Sequence, residues 1–272
     1  MTAVSGPLLT LVDELDRRFV ALAERWRPAH VRFSPTVPVA LLERMDYFRS
    51  FPHLFTAAVS LADDDAVLSS FTAGEPVRDG ALRLGPLAPV TRVLSPAACY
   101  PLYGHRAGAR VDAREHHTMA ATCFRREAEY VDWERQPSFT MREVVCIGTA
   151  EHVATFLSEA RVAVDELTAE LRIPTEWQRA SDPFFKPATN PKHLMQLIDP
   201  TKYEVVYDGR LAIASVNLHH DHFGRAFDIR IAADGIDGPA HTGCLAFGIE
   251  RWVAAIRQEH GSDPSGWPAV AP

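Results

Sequence analysis

The stretch TGCLAFGIER, residues Thr242–Arg251, decides how the rest of the chain is read. From Thr242 the pattern becomes helical, with Ile249, Trp252 and Ile256 on one face. The same stretch carries a cysteine, Cys244, and ends on an arginine, Arg251. Two others have a similar character: SPAACYPLY, with Cys99, and FTMREVV, with Glu143. Two thiolates and a carboxylate supply three ligands for zinc and leave a fourth position for water or substrate, which separates a catalytic metal from a structural one. The separations of 44 and 101 residues match no local zinc-finger spacing. By composition alone, the cysteines read better as small buried hydrophobes than as ligands.

The whole chain sets limits. Its 272 residues suffice for one large domain. Hydrophobic residues make up 47% and charged residues 23%, as in a soluble globular protein, and no apolar run is long enough for a membrane span. MTAVSGPLLTLVDELDRR lacks the basic start and apolar core of a secretory signal. Four cysteines are too few for a disulfide scaffold, so a cytoplasmic location is expected. The net charge of -7 argues against broad electrostatic capture of nucleic acid. Acidic residues outnumber basic ones even between Ala121 and Lys192, where the arginine-rich motifs fall. A nucleotide held by a few convergent arginines remains compatible with that charge.

Apolar residues at Leu8, Val12, Leu15, Phe19, Leu22 and Trp26 predict a first helix, stopped by Pro28. Leu41 to Leu54 reads as a short helix and turn leading into a strand, residues 63–65 as a turn, and Gly74 to Gly80 as a loop. ATCFRREAEYV and FTMREVVCIG are strand candidates around the polar turn DWERQPS. Thr149 can cap a long helix with a stripe of Val153, Phe156, Leu157, Ala160, Val164, Leu167 and Leu171, ended by Pro174. SDPFFKPATNPKH reads as a mobile loop; YEVVYDG, LAIASVNLH and AFDIRIA read as strands, with Gly235 and Gly238 in a loop. The sum is an α+β domain around an antiparallel sheet, spanning 1–260, with a helical insertion at 149–180 and a flexible tail at 261–272. Neither a Rossmann nor a P-loop pattern occurs.

CFRRE (Cys123–Glu127) resembles the start of motif 2 of the class II aminoacyl-tRNA synthetases, with FTMREVV as its return strand, and GCLAFGIER resembles motif 3, a strand-to-helix segment ending in arginine. TKYEVVYDG and SVNLHHDHFGRAFDIRI resemble the central strands of a seryl-type core. The best candidate for motif 1 is around Tyr47–Pro52. The set CYPLY, CFRRE, FTMREVV, YEVVYDG, FDIRI and GCLAFGIER, in that order, is closest to the atypical zinc-dependent seryl-tRNA synthetases and to their truncated relatives, the amino acid:[carrier protein] ligases.

The resemblance implies a class II synthetase-like antiparallel sheet flanked by helices and a Zn²⁺ site of Cys99, Glu143 and Cys244. It implies ATP and Mg²⁺, with Arg125 on the α-phosphate, Arg251 on the γ-phosphate, and Glu204, assisted by Asn217, on the magnesium. Phe139 would stack on adenine, and Glu127 would order the adenine end or a neighbouring arginine. Catalysis would rest with Arg125, Arg251 and Glu204. A small amino acid, glycine or alanine, would become an aminoacyl adenylate, with pyrophosphate released, and pass to the phosphopantetheine thiol of an acyl or peptidyl carrier protein. The 149–172 helix and the loop after Pro174 would contribute to carrier docking. A homodimer is expected, with the early helix and Tyr47–Pro52 at its interface; tRNA is not an expected partner. Cys123 and Cys146 are expected to pack, and His219, His220 and His222 to have structural or loop roles. Two alternatives stay open: seryl-tRNA synthetase-like aminoacylation of tRNA, and a non-catalytic regulatory protein of synthetase-like fold.

Overall fold

The computed structural model describes residues 3–233 and 236–271. In chain order they form α1 (Pro7–Ala23), β1 (Ala29–His30), β2 (Thr36–Pro38), α2 (Val39–Arg44), α3 (Tyr47–Ser50), α4 (Asp65–Ala73), β3 (Val77–Arg78), β4 (Ala81–Leu82) and β5 (Arg92–Leu94). There follow α5 (Tyr100–His105), β6 (Arg110–Val111), β7 (Glu115–Phe124), β8 (Ser138–Gly148), α6 (Ala150–Glu170), β9 (Thr175–Ala180) and α7 (Pro191–Ile198). The chain then forms β10 (Lys202–Tyr207), β11 (Leu211–His220), α8 (His222–Phe227), β12 (Arg230–Ala233), β13 (Ile236–Pro239), β14 (His241–Gly248) and α9 (Ile249–His260).

The main sheet has seven strands in the order β1-β7-β8-β14-β11-β10-β9. Every pairing is antiparallel except the short parallel contact of β1 with β7. Strand alternation sends Val144, Cys146, Leu245, Phe247, Ala214, Val216 and Val205 to one face. There α1, α6 and α9 cover them with Leu15, Phe19, Phe156, Val164, Trp252 and Ile256. Phe19 stacks on Phe247 at 4.2 Å between ring centroids. Arg142, on the same face, is matched by Asp16 of α1 through two hydrogen bonds of 2.8 and 2.7 Å, so its buried charge is paired. The opposite face meets a second apolar cluster built from α2, α5, α8 and the 95–99 loop. That face holds the cavity.

Several elements differ from the sequence-based expectation. The strand predicted over ATCFRREAEYV starts earlier and stops at Phe124; Arg125 to Pro137 form the connecting loop. The acidic turn at 63–65 is a helix start: Asp64 Oδ1 accepts from Ala66 N–H and Val67 N–H at 2.9 and 3.1 Å and caps α4. Within Gly74 to Gly80 lies β3, half of a hairpin with β4. SDPFFKPATNPKH runs into α7, whose first turn is capped by Asn190 and begins with Pro191. AFDIRIA is split: Ala226 and Phe227 finish α8, Asp228 turns the backbone at φ 53°, and only Arg230 onward is extended, in a separate small sheet with β13 and β6. The helix expected from Thr242 begins at Ile249, because β14 runs through Gly248. Gly238 lies in β13; Gly235 lies outside the described residues.

The segment 149–180 is not an insertion. His152 N–H donates to Thr149 Oγ1 at 3.2 Å to cap α6, which packs across the centre of the sheet, and β9 is an edge strand of that sheet. The tail is also tied down: Trp267 Nε1 donates to Gly261 O at 2.9 Å, and Val270 is 1% exposed within the core.

Candidate functional site

Strand register builds the site. Two rows of paired residues cross the sheet on its cavity face. One row reads Met119, Glu143, Ala246, Ser215, Glu204 from β7 to β10; the next reads His117, Val145, Cys244, Asn217, Lys202. Glu143 and Cys244 therefore stand on adjacent strands one row apart. Cys99 reaches them from the 95–99 loop. That loop is pinned to the end of β7 by Phe124 N–H on Ser95 O at 2.9 Å, and Arg125 Nε donates to Pro96 O at 2.9 Å.

The ligand atoms of Cys99, Glu143 and Cys244 lie within 4.8 Å of one another, and the residues are 4%, 2% and 3% exposed. Glu143 Oε1 accepts from Ala98 N–H at 3.0 Å, whereas its buried Oε2 has no hydrogen-bond partner. A buried carboxylate oxygen with no donor is costly. Burial pushes the Glu143 pKa up. The Cys99 thiol is driven well above its usual range by its hydrogen bond with Cys244, then by burial and the Glu143 charge. As anions the three groups would repel one another, and a cation among them would reverse that pKa logic. The donor set fits a thiophilic divalent ion, whose tetrahedral ligands lie about 3–4 Å apart.

Around this tripod, Asn217 Nδ2 donates to Cys244 Sγ at 3.3 Å and to Ser215 Oγ at 3.1 Å. Asn217 thus reaches the thiol end of the cavity. His219 Nε2 lies 3.7 Å from Cys244 Sγ, and its Nδ1 is 3.1 Å from Thr242 Oγ1. Burial lowers its pKa to about 3, so the ring is neutral. His220 and His222 also line the cavity, but among the described residues neither belongs to a metal-binding cluster.

One cavity of about 620 Å³ runs from the tripod to α9, and it touches every site residue expected from the sequence: Cys99, Arg125, Glu127, Phe139, Glu143, Glu204, Asn217, Cys244 and Arg251. The Arg125 guanidinium lies over the Phe139 ring, 5.2 Å from its centroid. Arg251 Nε donates to Glu134 O at 2.8 Å and Nη1 to Ala212 O at 3.0 Å. Glu250, in the first turn of α9, accepts from Thr140 N–H through both oxygens at 2.8 and 2.9 Å and locks α9 to β8. Glu204 is not an isolated carboxylate: Lys202 Nζ is 3.1 Å from its Oε1 and 3.4 Å from Asp182 Oδ1.

Lys202, Asp182 and Glu134 are cavity residues that sequence reasoning missed, and His219, expected in a structural or loop role, lines the cavity beside Cys244. Burial opposes the Lys202 charge, but Asp182 and Glu204 outweigh it and hold the pKa above its ordinary value. Lys202 stands two residues before Glu204, the spacing of one strand face. His219 follows Asn217 at the same spacing, so both carried a legible signal. Asp182 and Glu134 lie in loops with none. Cys123 and Cys146 are buried but do not belong to the tripod; burial raises Cys146 to about 12.

A scan against models of protein families found no match. Amino acid–[acyl-carrier-protein] ligase 2 of Bradyrhizobium diazoefficiens is 36% identical over 273 residues, spanning 95% of this chain and 78% of that protein. Ligase 1 of the same organism is 36% identical over 280 residues, spanning 95% and 81%. Among solved structures, the M. kandleri seryl-tRNA synthetase bound to A. aeolicus tRNASec superposes with a TM-score of 0.79 at 22% identity, over 97% of this chain. The chain spans about half, 54%, of that synthetase. The Pyrococcus horikoshii seryl-tRNA synthetase complexed with ATP gives 0.65 at 17% identity, over 96% of this chain and 54% of that one. The antiparallel sheet with its flanking helices is thus the class II aminoacyl-tRNA synthetase fold. Identity at this level over nearly the whole chain goes further than fold, and the chain belongs to the family of amino acid–[acyl-carrier-protein] ligases.

Proposed function

We propose that this enzyme activates a small amino acid, glycine or alanine, with ATP and passes it to the phosphopantetheine thiol of a carrier protein. The observation that carries this proposal is the single cavity with a buried Cys99–Glu143–Cys244 tripod at one end and Arg125, Phe139 and Arg251 at the other. Its length separates an amine-binding end from a nucleotide-binding end.

The amino-acid carboxylate oxygen attacks the α-phosphorus, the bond to the bridging oxygen breaks, and pyrophosphate leaves. Negative charge grows on phosphoryl oxygens, so fixed cations do more here than an acid–base pair. Arg125 is oriented by Pro96 O and Phe139 to meet the α-phosphate. Arg251 is held by two carbonyls near the triphosphate tail. Phe139 offers a ring face to adenine, with Glu127 at the cavity wall beside it. Glu204 would offer a carboxylate to Mg²⁺, with Lys202 balancing its charge. Cys99, Glu143 and Cys244 would hold Zn²⁺, which would supply a Lewis-acid position for the α-amine. Asn217 and His219 brace the Cys244 sulfur. In the second step the carrier thiolate forms a bond to the adenylate carbonyl and AMP leaves with the bonding pair. The enzyme works as a cytoplasmic homodimer, with α1 and the Tyr47–Pro52 segment at the interface. Among the described residues, no helix is long and apolar enough to cross a membrane.

Pyrophosphate exchange into ATP tests the first step. Zinc-replete protein with Mg²⁺ should exchange with glycine or alanine faster than with serine or larger amino acids. No exchange with any amino acid rejects the proposal. Efficient serylation of tRNA, with no loading of a phosphopantetheinylated carrier, favours the synthetase alternative.

A further inference from the structure

Arg251 is gripped from two sides by separate segments of the chain. Its Nε donates to Glu134 O, in the loop between β7 and β8, and its Nη1 to Ala212 O, at the start of β11. The same two segments are bolted to each other. Arg210, in the β10–β11 turn, makes a two-pronged contact with the Glu134 carboxylate at 2.6 and 3.1 Å. Gln258, two turns beyond Arg251 on the same face of α9, closes the triangle: it accepts from Arg210 Nη2 at 3.1 Å and donates to Glu134 Oε1 at 2.9 Å.

The loop gripped in this way is tight and strained. Val131 and Arg135 exchange two backbone hydrogen bonds of 2.8 Å, and Trp133, between them, adopts φ 62°. A bulky residue in the left-handed region needs outside support. Trp133 is anchored in the core, and Glu134 is tied by Arg210 and Gln258.

We propose that Arg210 is a positioning residue for the nucleotide. It latches the 131–135 turn to the β10–β11 hairpin, so that Arg251 keeps the orientation in which it meets the polyphosphate. Arg210 does not line the cavity, and its side chain is 52% exposed. Nothing about its location marks it as functional except the closed triangle. The proposal rests on the cavity's being the ATP site. It goes beyond that by assigning part of the ATP affinity to the ion pair of Arg210, outside the cavity, with Glu134, on its wall.

The test uses the full chain with Arg210→Ala, Glu134→Gln and the double variant in pyrophosphate exchange. For Arg210→Ala, the KM for ATP should rise about fivefold, the change expected from loss of a networked surface pair. The KM for glycine or alanine should stay at the wild-type value. Because both single variants open one latch, the double variant should be no worse than the poorer single one. Arg210→Lys should recover only part of the effect, since an ammonium lacks the two-pronged fork. Hydrogen exchange at the amides of Val131, Glu134 and Arg135 should quicken in Arg210→Ala. An unchanged ATP KM in an active variant, an equal rise in both KM values, multiplicative effects in the double variant, or unchanged exchange at those amides overturns the latch. A wild-type protein that binds no ATP overturns the assignment of the site itself, a distinct outcome.

Discussion

Glu143→Gln should act in opposite directions on the metal-free and zinc-loaded protein. Without a cation, the wild-type chain keeps a buried carboxylate whose Oε2 has no donor, beside two sulfurs. Glutamine retains the acceptor for Ala98 N–H at 3.0 Å and removes the charge, and its amide can donate to sulfur. Relief of one unsatisfied buried polar atom is worth about 1–3 kcal/mol, a rise of about 2–10 °C in Tm for a chain of this size. In the loaded protein the same change removes a charged ligand. Outer-shell partners of metal ligands already cost up to about 100-fold in affinity, so loss of a direct ligand should cost at least that. About 2.7 kcal/mol of metal-linked stabilisation then disappears. Thermal unfolding of chelator-treated and zinc-saturated protein, beside metal analysis, reads both. Wild type should be the less stable of the two without zinc and the more stable with it. The same order in both states, or equal zinc affinity, refutes a role for Glu143 as ligand.

Arg142→Ala removes the buried guanidinium and leaves the Asp16 carboxylate, 32% exposed, without its partner on the helix-covered face; it should cost about 2 kcal/mol in urea unfolding. Zinc content should not change, since Arg142 faces away from the cavity. Gly224→Ala would bring a Cβ within 2.2 Å of Ala240 O and 2.8 Å of Ala240 N, backbone atoms that cannot step aside, and a loss of about 2–3 kcal/mol is expected in the same assay. His116 is held neutral by burial and by Arg114, with its pKa lowered from 6.5 to about 4. The unfolded chain therefore takes up a proton between those values that the folded chain refuses, and stability falls as the pH drops from about 6.5 to 4. Measured across that window by denaturant titration, His116→Gln should lose less stability than wild type; an identical slope would count against it.

The sequence alone determined the helices with strong periodicity and clear stops. The stripe from Val153 to Leu171, capped by Thr149, became α6, and the repeat from Leu8 to Trp26 became α1 and the turn after it. These signals are local: burial of one face imposes the period, and caps and prolines mark the ends. Cys99, Glu143, Cys244, Arg125 and Arg251 stood out through ordered motifs, and one cavity gathers them. Local pattern failed where a neighbour decides the conformation. Thr242 to Gly248 is almost free of polar residues because it lies between β8 and β11 with both faces covered, and such a run has no period that tells strand from helix. Ala226 and Phe227 have the composition of a strand, yet they close α8, where Gly224 packs directly against the Ala240 backbone. Only tertiary structure placed Lys202 between Asp182 and Glu204, His219 against Cys244, and Arg210 on Glu134. Those contacts depend on strand register and loop closure, which are fixed by packing across the whole sheet rather than by the residues on either side in the chain.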